Sequence, residues 1–121
     1  MKTYDIASIS YMAMPGLRPE MNRVSFHIYS NLDKVIQIVT DFTGVTVEKM
    51  TSNVRAYYVS DSRFIMWYML KKFTKMTLVD IGVMFNRDHS SVIYGIRRCE
   101  DLIKTEKDFQ SKVRFLETQL S

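Results

Sequence analysis

Residues 77–99, TLVDIGVMFNRDHSSVIYGIRRC, constrain the fold more than any other stretch, because they read as two helices joined by a very short turn. Thr77 caps the first helix, with Asp80 three residues on as its capping-box partner. Leu78, Ile81 and Phe85 then form one apolar stripe. Asn86 and Arg87 punctuate the pattern, since asparagine tolerates the left-handed conformation that ends a helix and re-aims the chain. Asp88 caps the second helix, whose Val92, Ile96, Cys99 and Ile103 make a stripe facing the first. Asp88, His89, Ser90 and Ser91 are left on its exposed first turn, polar and mostly small. Two helices, a tight turn and a polar tip make a helix-turn-helix, the arrangement that sets a helix into the major groove of DNA.

The bounds on the rest are consistent with this. A chain of 121 residues makes one core, and 46% hydrophobic with 25% charged residues argues against disorder. The net charge of +4 and pI near 9.2 favour an anionic partner. Residues 53–104 hold nine Lys and Arg against five acids, which supplies the whole excess. The single Cys99 excludes an internal disulfide and, on an apolar face, reads as a buried inert thiol. With no signal peptide in view, a cytoplasmic protein is expected. No apolar run approaches the roughly 18 residues of a membrane span.

In chain order, residues 1–30 show no clean period and hold Pro15 and Pro19. They read as an arm packed on the body, and Tyr4, Tyr11, Met12, Met14 and Met21 would suit self-association or a partner. The body is residues 31–121. Asn31 is expected to cap a helix carrying Leu32, Val35, Ile36, Val39 and Phe42 on one face, ended by Gly44. A short helix or turn over 45–50 leads to a loop over 51–59. Ser60, Asp61 and Ser62 are expected to open a helix to about Phe73, apolar nearly all round and therefore central. Its N-terminal amides would offer a phosphate seat, and Lys71 and Lys72 at its end are candidate phosphate contacts. A last helix carries Phe109, Val113, Leu116 and Leu120 as a core or dimer stripe, with Asp108, Lys112, Arg114 and Glu117 on a solvated face.

The run Leu78-x-x-Ile81-Gly82-x-x-Phe85-x-Arg87-Asp88-His89-Ser90-Ser91-Val92 resembles the C-terminal DNA-binding domain of DnaA, the bacterial chromosomal replication initiator. That family's signature reads approximately L-x-x-I-G-x-x-F-G-G-R-D-H-[TS]-T-V. Two departures stand out. Asn86 replaces the usual two glycines, so the turn is one residue shorter, and Ser91 stands where threonine is usual. The resemblance implies an all-α helix-turn-helix bundle of the DnaA C-terminal, Trp-repressor-like type that binds double-stranded DNA at an A·T-rich box. It aligns Arg55 with an arginine that enters the minor groove, where a narrow A·T-rich groove deepens the negative potential. It aligns Arg63 with an arginine at a helix start that contacts DNA, and Arg63 and Arg87 are expected to hold phosphates together with Lys71 and Lys72.

Base reading is expected of Asp88, His89, Ser90 and Ser91. A carboxylate accepts from the cytosine amine, imidazole donates to a base acceptor or packs on a thymine methyl, and hydroxyls serve either base edge or phosphate. No enzyme is expected. Asp88, His89 and Ser90 imitate a catalytic triad in letters only, because consecutive helical residues point about 100° apart. Two histidines, His27 and His89, and one cysteine lack metal-ligand spacing, so neither metal nor cofactor is expected. The four glycines, at 16, 44, 82 and 95, are isolated and make no phosphate-binding loop. The chain therefore looks like the initiator's DNA-binding domain standing alone without its ATPase, acting on the nucleoid in replication initiation or its regulation. The alternative is a protein-interaction module, an antagonist or partner of an initiator, that has kept the fold but not the reading of DNA. Residues 1–30 or the last helix would then carry a homodimer or a replication-protein contact.

Overall fold

The computed structural model describes residues 22–120, those before 31 by backbone alone. They form α1 (Asn22–Thr43), α2 (Val47–Thr51), α3 (Tyr57–Phe73), α4 (Leu78–Met84), α5 (His89–Thr105) and α6 (Lys107–Leu120), with no strand among the described residues. The all-α expectation holds. α3 packs against each of the other five helices. Its composition requires this: Val59, Ile65, Met66, Trp67, Met69 and Leu70 spread over more than half of the helix circumference, and all are buried.

α5 crosses α3 closely because of Gly95. A Cβ there would lie 2.5 Å from the Trp67 ring and 2.8 Å from Phe64. Trp67 in turn meets Phe85 edge-on at 6.1 Å, which ties the end of α4 into the same core. Val92 and Cys99 of α5 are fully buried, Ile103 nearly so, and Ile96 is half-buried, as their spacing requires.

Several boundaries differ from the sequence reading. α1 begins at Asn22, so Asn31 lies inside it as an exposed helical residue and caps nothing. Once a helix is nucleated, each added residue adds a bond, and a polar pair such as Ser30-Asn31 is too weak a signal to stop it. Of the expected arm, residues 1–21 lie outside the described residues. Leu32, Val35, Ile36 and Val39 face the core, but Phe42 does not; it is 40% exposed and leans on Phe115 of α6, ring centroids 5.6 Å apart. Gly44 ends α1 as expected, at φ 72°.

α3 starts at Tyr57, not at Ser60. Ser62 sits inside the helix because its hydroxyl donates back to the Tyr58 carbonyl at 2.7 Å, a bond that removes its need to cap. On α6, Phe109, Val113 and Leu116 are buried against the body, so the apolar stripe is core and not a free dimer seam. Glu117 is also corrected. It is half-buried and accepts from Lys72, from Arg114 at 2.9 Å and from the Tyr68 hydroxyl at 3.3 Å, instead of sitting on a solvated face.

Candidate nucleic-acid interface

The helix-turn-helix is built by capping. Thr77 Oγ1 accepts from the Asp80 amide while the Asp80 carboxylate accepts from the Thr77 amide, closing both halves of the capping box on α4. At the other end, Asn86 adopts φ 57°. Its amide donates to the Val83 carbonyl at 3.3 Å, and the Arg87 amide donates to Gly82 at 2.7 Å. That bond pair is a Schellman turn. It explains Gly82 as well: a Cβ there would stand 2.5 Å from the Arg87 carbonyl oxygen. One asparagine thus completes a turn that reverses directly into α5.

Asp88 occupies the N-cap position of α5, but its carboxylate makes no capping bond; its carbonyl accepts from the Ser91 and Val92 amides at 3.0 and 3.2 Å. The side chain expected to cap is exposed and uncommitted to the helix, as are the side chains of His89, Ser90 and Ser91 on the same first turn. Four polar groups and the N-terminal amides of a 17-residue helix therefore meet solvent together.

The second element is the loop after α2. Thr46 caps α2 through Lys49, and the helix lasts only five residues. The carbonyls of Met50 and Thr51 at its end therefore lack partners within the helix. Two arginines supply them. Arg63 donates from Nε to Met50 at 2.6 Å and from Nη2 to Ser52 at 2.8 Å and Val54 at 2.7 Å. Arg87 donates from Nη1 to Thr51 at 3.2 Å and Phe85 at 3.1 Å, and from Nη2 to Ser52 at 2.7 Å. Burial, then the charge of Arg87, holds the Arg63 guanidinium below the usual arginine range.

Arg63 lies in the second turn of α3 and is 6% exposed, its fork turned into backbone carbonyls. Arg87 is half-buried, with the carbonyl bonds just described. Lys72 pairs with Glu117 on α6 and lies 5.7 Å from the centroids of the Tyr68 and Phe73 rings. Lys71 is exposed on the last turn of α3, and Arg55 is exposed at the tip of the loop.

Two clefts join the elements. One, of about 530 Å³, is lined by Asn53, Val54, Arg55, Ser60, Arg63, Asn86 and Arg87. The other, of about 520 Å³, is lined by Gly82, Val83, Asn86, Arg87, Asp88 and Ser91. They share Asn86 and Arg87, so loop and tip lie on one continuous face. Asn53, Ser60 and Asn86 were not among the residues expected at the site. The only sequence signal for the carbonyl-capping arginines was the brevity of α2 itself. Among the described residues no group of three or more His, Cys, Asp and Glu side chains could hold a metal ion, and no helix is long and apolar enough to cross a membrane.

Comparison with known proteins agrees with this geometry. The chromosomal replication initiator protein DnaA of Wolbachia pipientis is 34% identical over 93 residues, 76% of this chain and 20% of its own length. The same protein from Aquifex aeolicus is 34% identical over 89 residues, 73% of this chain and 22% of its own. That of Lachnoclostridium phytofermentans is 34% identical over 86 residues, 70% and 19% respectively. The chain thus spans about a fifth of the length of these relatives. Residues 32–99, from the first buried leucine of α1 to Cys99 of α5, match the family described as the bacterial DnaA protein helix-turn-helix, and the chain belongs to that family.

Proposed function

We propose that this chain binds double-stranded DNA with sequence preference and performs no catalysis of its own. The observation that carries the reading is the continuous face on which the exposed Arg55 loop and the exposed Asp88, His89, Ser90 and Ser91 tip are joined through Asn86 and Arg87. The tip enters the major groove, where Asp88 accepts from cytosine and His89 and the serines meet base edges or phosphate. Arg55 enters the adjoining minor groove, which favours an A·T-rich step. Lys71 and the α5 amides hold phosphates, and the uncommitted carboxylate of Asp88 is what frees it to read a base. These relatives are chromosomal replication initiators, which supports a role on the nucleoid in replication initiation or its regulation.

Arg55→Ala and His89→Ala test the reading residue by residue. Each should cost about 1–3 kcal/mol on a preferred duplex and relax preference in its own groove. Fluorescence anisotropy against single-position variants of the duplex measures both effects. Affinity unchanged in both variants would remove the two elements from the interface.

A protein-interaction role is the second reading, favoured by one observation. Phe42 and Phe115 meet at 40% and 50% exposure, and Phe42 lines a cleft of about 350 Å³ together with Tyr57 and Tyr58. The apolar surface expected of such a module within residues 1–30 falls mostly outside the described residues. Failure to bind any duplex, with a partner lost on Phe115→Ser, would favour it.

A further inference from the structure

We infer that Arg63 and Arg87 are positioning residues: they clamp the Arg55 loop to the turn of the helix-turn-helix, so that the minor-groove and major-groove elements read DNA in one fixed register. The inference rests on the DNA reading proposed above. Five residues of α2 cannot organise the chain that follows, and residues 53–56 have no regular structure of their own. What holds them is side chains from elsewhere. Arg63 reaches from α3 to the Val54 carbonyl, the peptide that carries the Arg55 amide. Arg87 reaches 35 residues back to Ser52 while also holding the carbonyls of Phe85 and Asn86, directly before the tip. The Ser52 carbonyl accepts from both guanidiniums and is the common post of the clamp.

The chemistry suits arginine alone. A planar fork can serve several carbonyls at once, whereas an ammonium on a flexible stem cannot hold two chain segments in one geometry. Guanidinium groups spent on carbonyls are poorly placed to grip phosphates. The clamp thus separates two roles that one motif arginine would otherwise combine. Arg55 reads, and Arg87 fixes where it reads from.

The test uses the full chain and a duplex that it prefers, selected from random sequence. One base pair is inserted between the A·T-rich step and the segment facing the tip. The insertion should lower wild-type affinity about 100-fold, as much as replacing the A·T-rich step outright. In Arg87→Met and Arg87→Lys, affinity for the parent duplex should fall while the insertion penalty shrinks below about tenfold. The two variants should behave alike, with the log–log salt slope of the wild type. A phosphate contact predicts the reverse: lysine near wild type, methionine lowering the slope by about 0.9, and the insertion penalty intact. That result overturns the clamp. So does a wild-type protein that tolerates the insertion, an arm that needs no variant to fold. Absence of any preferred duplex would instead overturn the DNA reading beneath it.

Discussion

Gly82 shows how a single residue decides whether the turn can close. The Arg87 carbonyl oxygen would be 2.5 Å from an added Cβ, and it is backbone fixed by the turn's own hydrogen bonds. Gly82→Ala should therefore lose about 2 kcal/mol, the steric clash outweighing the roughly 1 kcal/mol gain in helix propensity. A thermal melt should show a midpoint lowered by roughly 10 °C; an unchanged midpoint would mean the turn is looser than it stands here. Cys99 makes the opposite kind of prediction. Burial, then the nearby carboxylates of Glu100, Glu117 and Asp61, pushes its thiol up to about 12. A thiol reagent at pH 8 should label the native protein no faster than it unfolds, and rapid native labelling would contradict that burial. At this scale the sequence was informative wherever the partner is local. The Thr77 and Asp80 capping box, the left-handed Asn86 and the exposed tip were all legible from spacing and residue type. Arg63, Arg87 and Lys72 were not, because each has a partner 9 to 45 residues away in sequence. A resemblance to DNA-contacting positions names residues without saying where a guanidinium turns.

Among the elements, α6 is the one held most visibly by charge. Glu117 on α6 accepts from Lys72 on α3 and from Arg114 one turn earlier. Burial works against its charge, but the hydrogen bonds from Lys72 and Arg114 prevail and keep its carboxyl below the usual glutamate range. A depressed folded-state value means the pair adds stability above the unfolded value, about 4.3, and loses it as pH falls through the folded one. Glu117→Gln should thus cost on the order of 1 kcal/mol at neutral pH. The gap in melting temperature between variant and wild type should close as the solution is acidified below the ordinary glutamate range. A gap that persists there would assign the loss to packing. Helix existence was legible in the amphipathic stripes of α1, α5 and α6, while helix starts were not. Asn31 and Ser60 are both capping residues by type, yet both lie within helices, since tertiary packing of Leu32 and Val59 carries the helices past them.

For the molecule as a whole, the proposed function joins two kinds of DNA reading on one face. α3 sits at the centre of the bundle, and the helix-turn-helix and the α2 loop are both packed against it, so their relation is set by the core and by the arginines that bridge them. On the proposed function, the positive charge concentrated in residues 53–104 would give such a face affinity for any duplex, and the tip and Arg55 would give it preference. Fluorescence anisotropy of a labelled duplex carrying the initiator family's box, TTATCCACA, against a scrambled duplex across a salt series tests this most directly. The account predicts tighter binding to the box at every salt concentration, with affinity for both duplexes falling linearly on a log–log plot as salt rises. Equal affinity for the box, the scramble and duplexes selected from random sequence, or no binding at low salt, would contradict it.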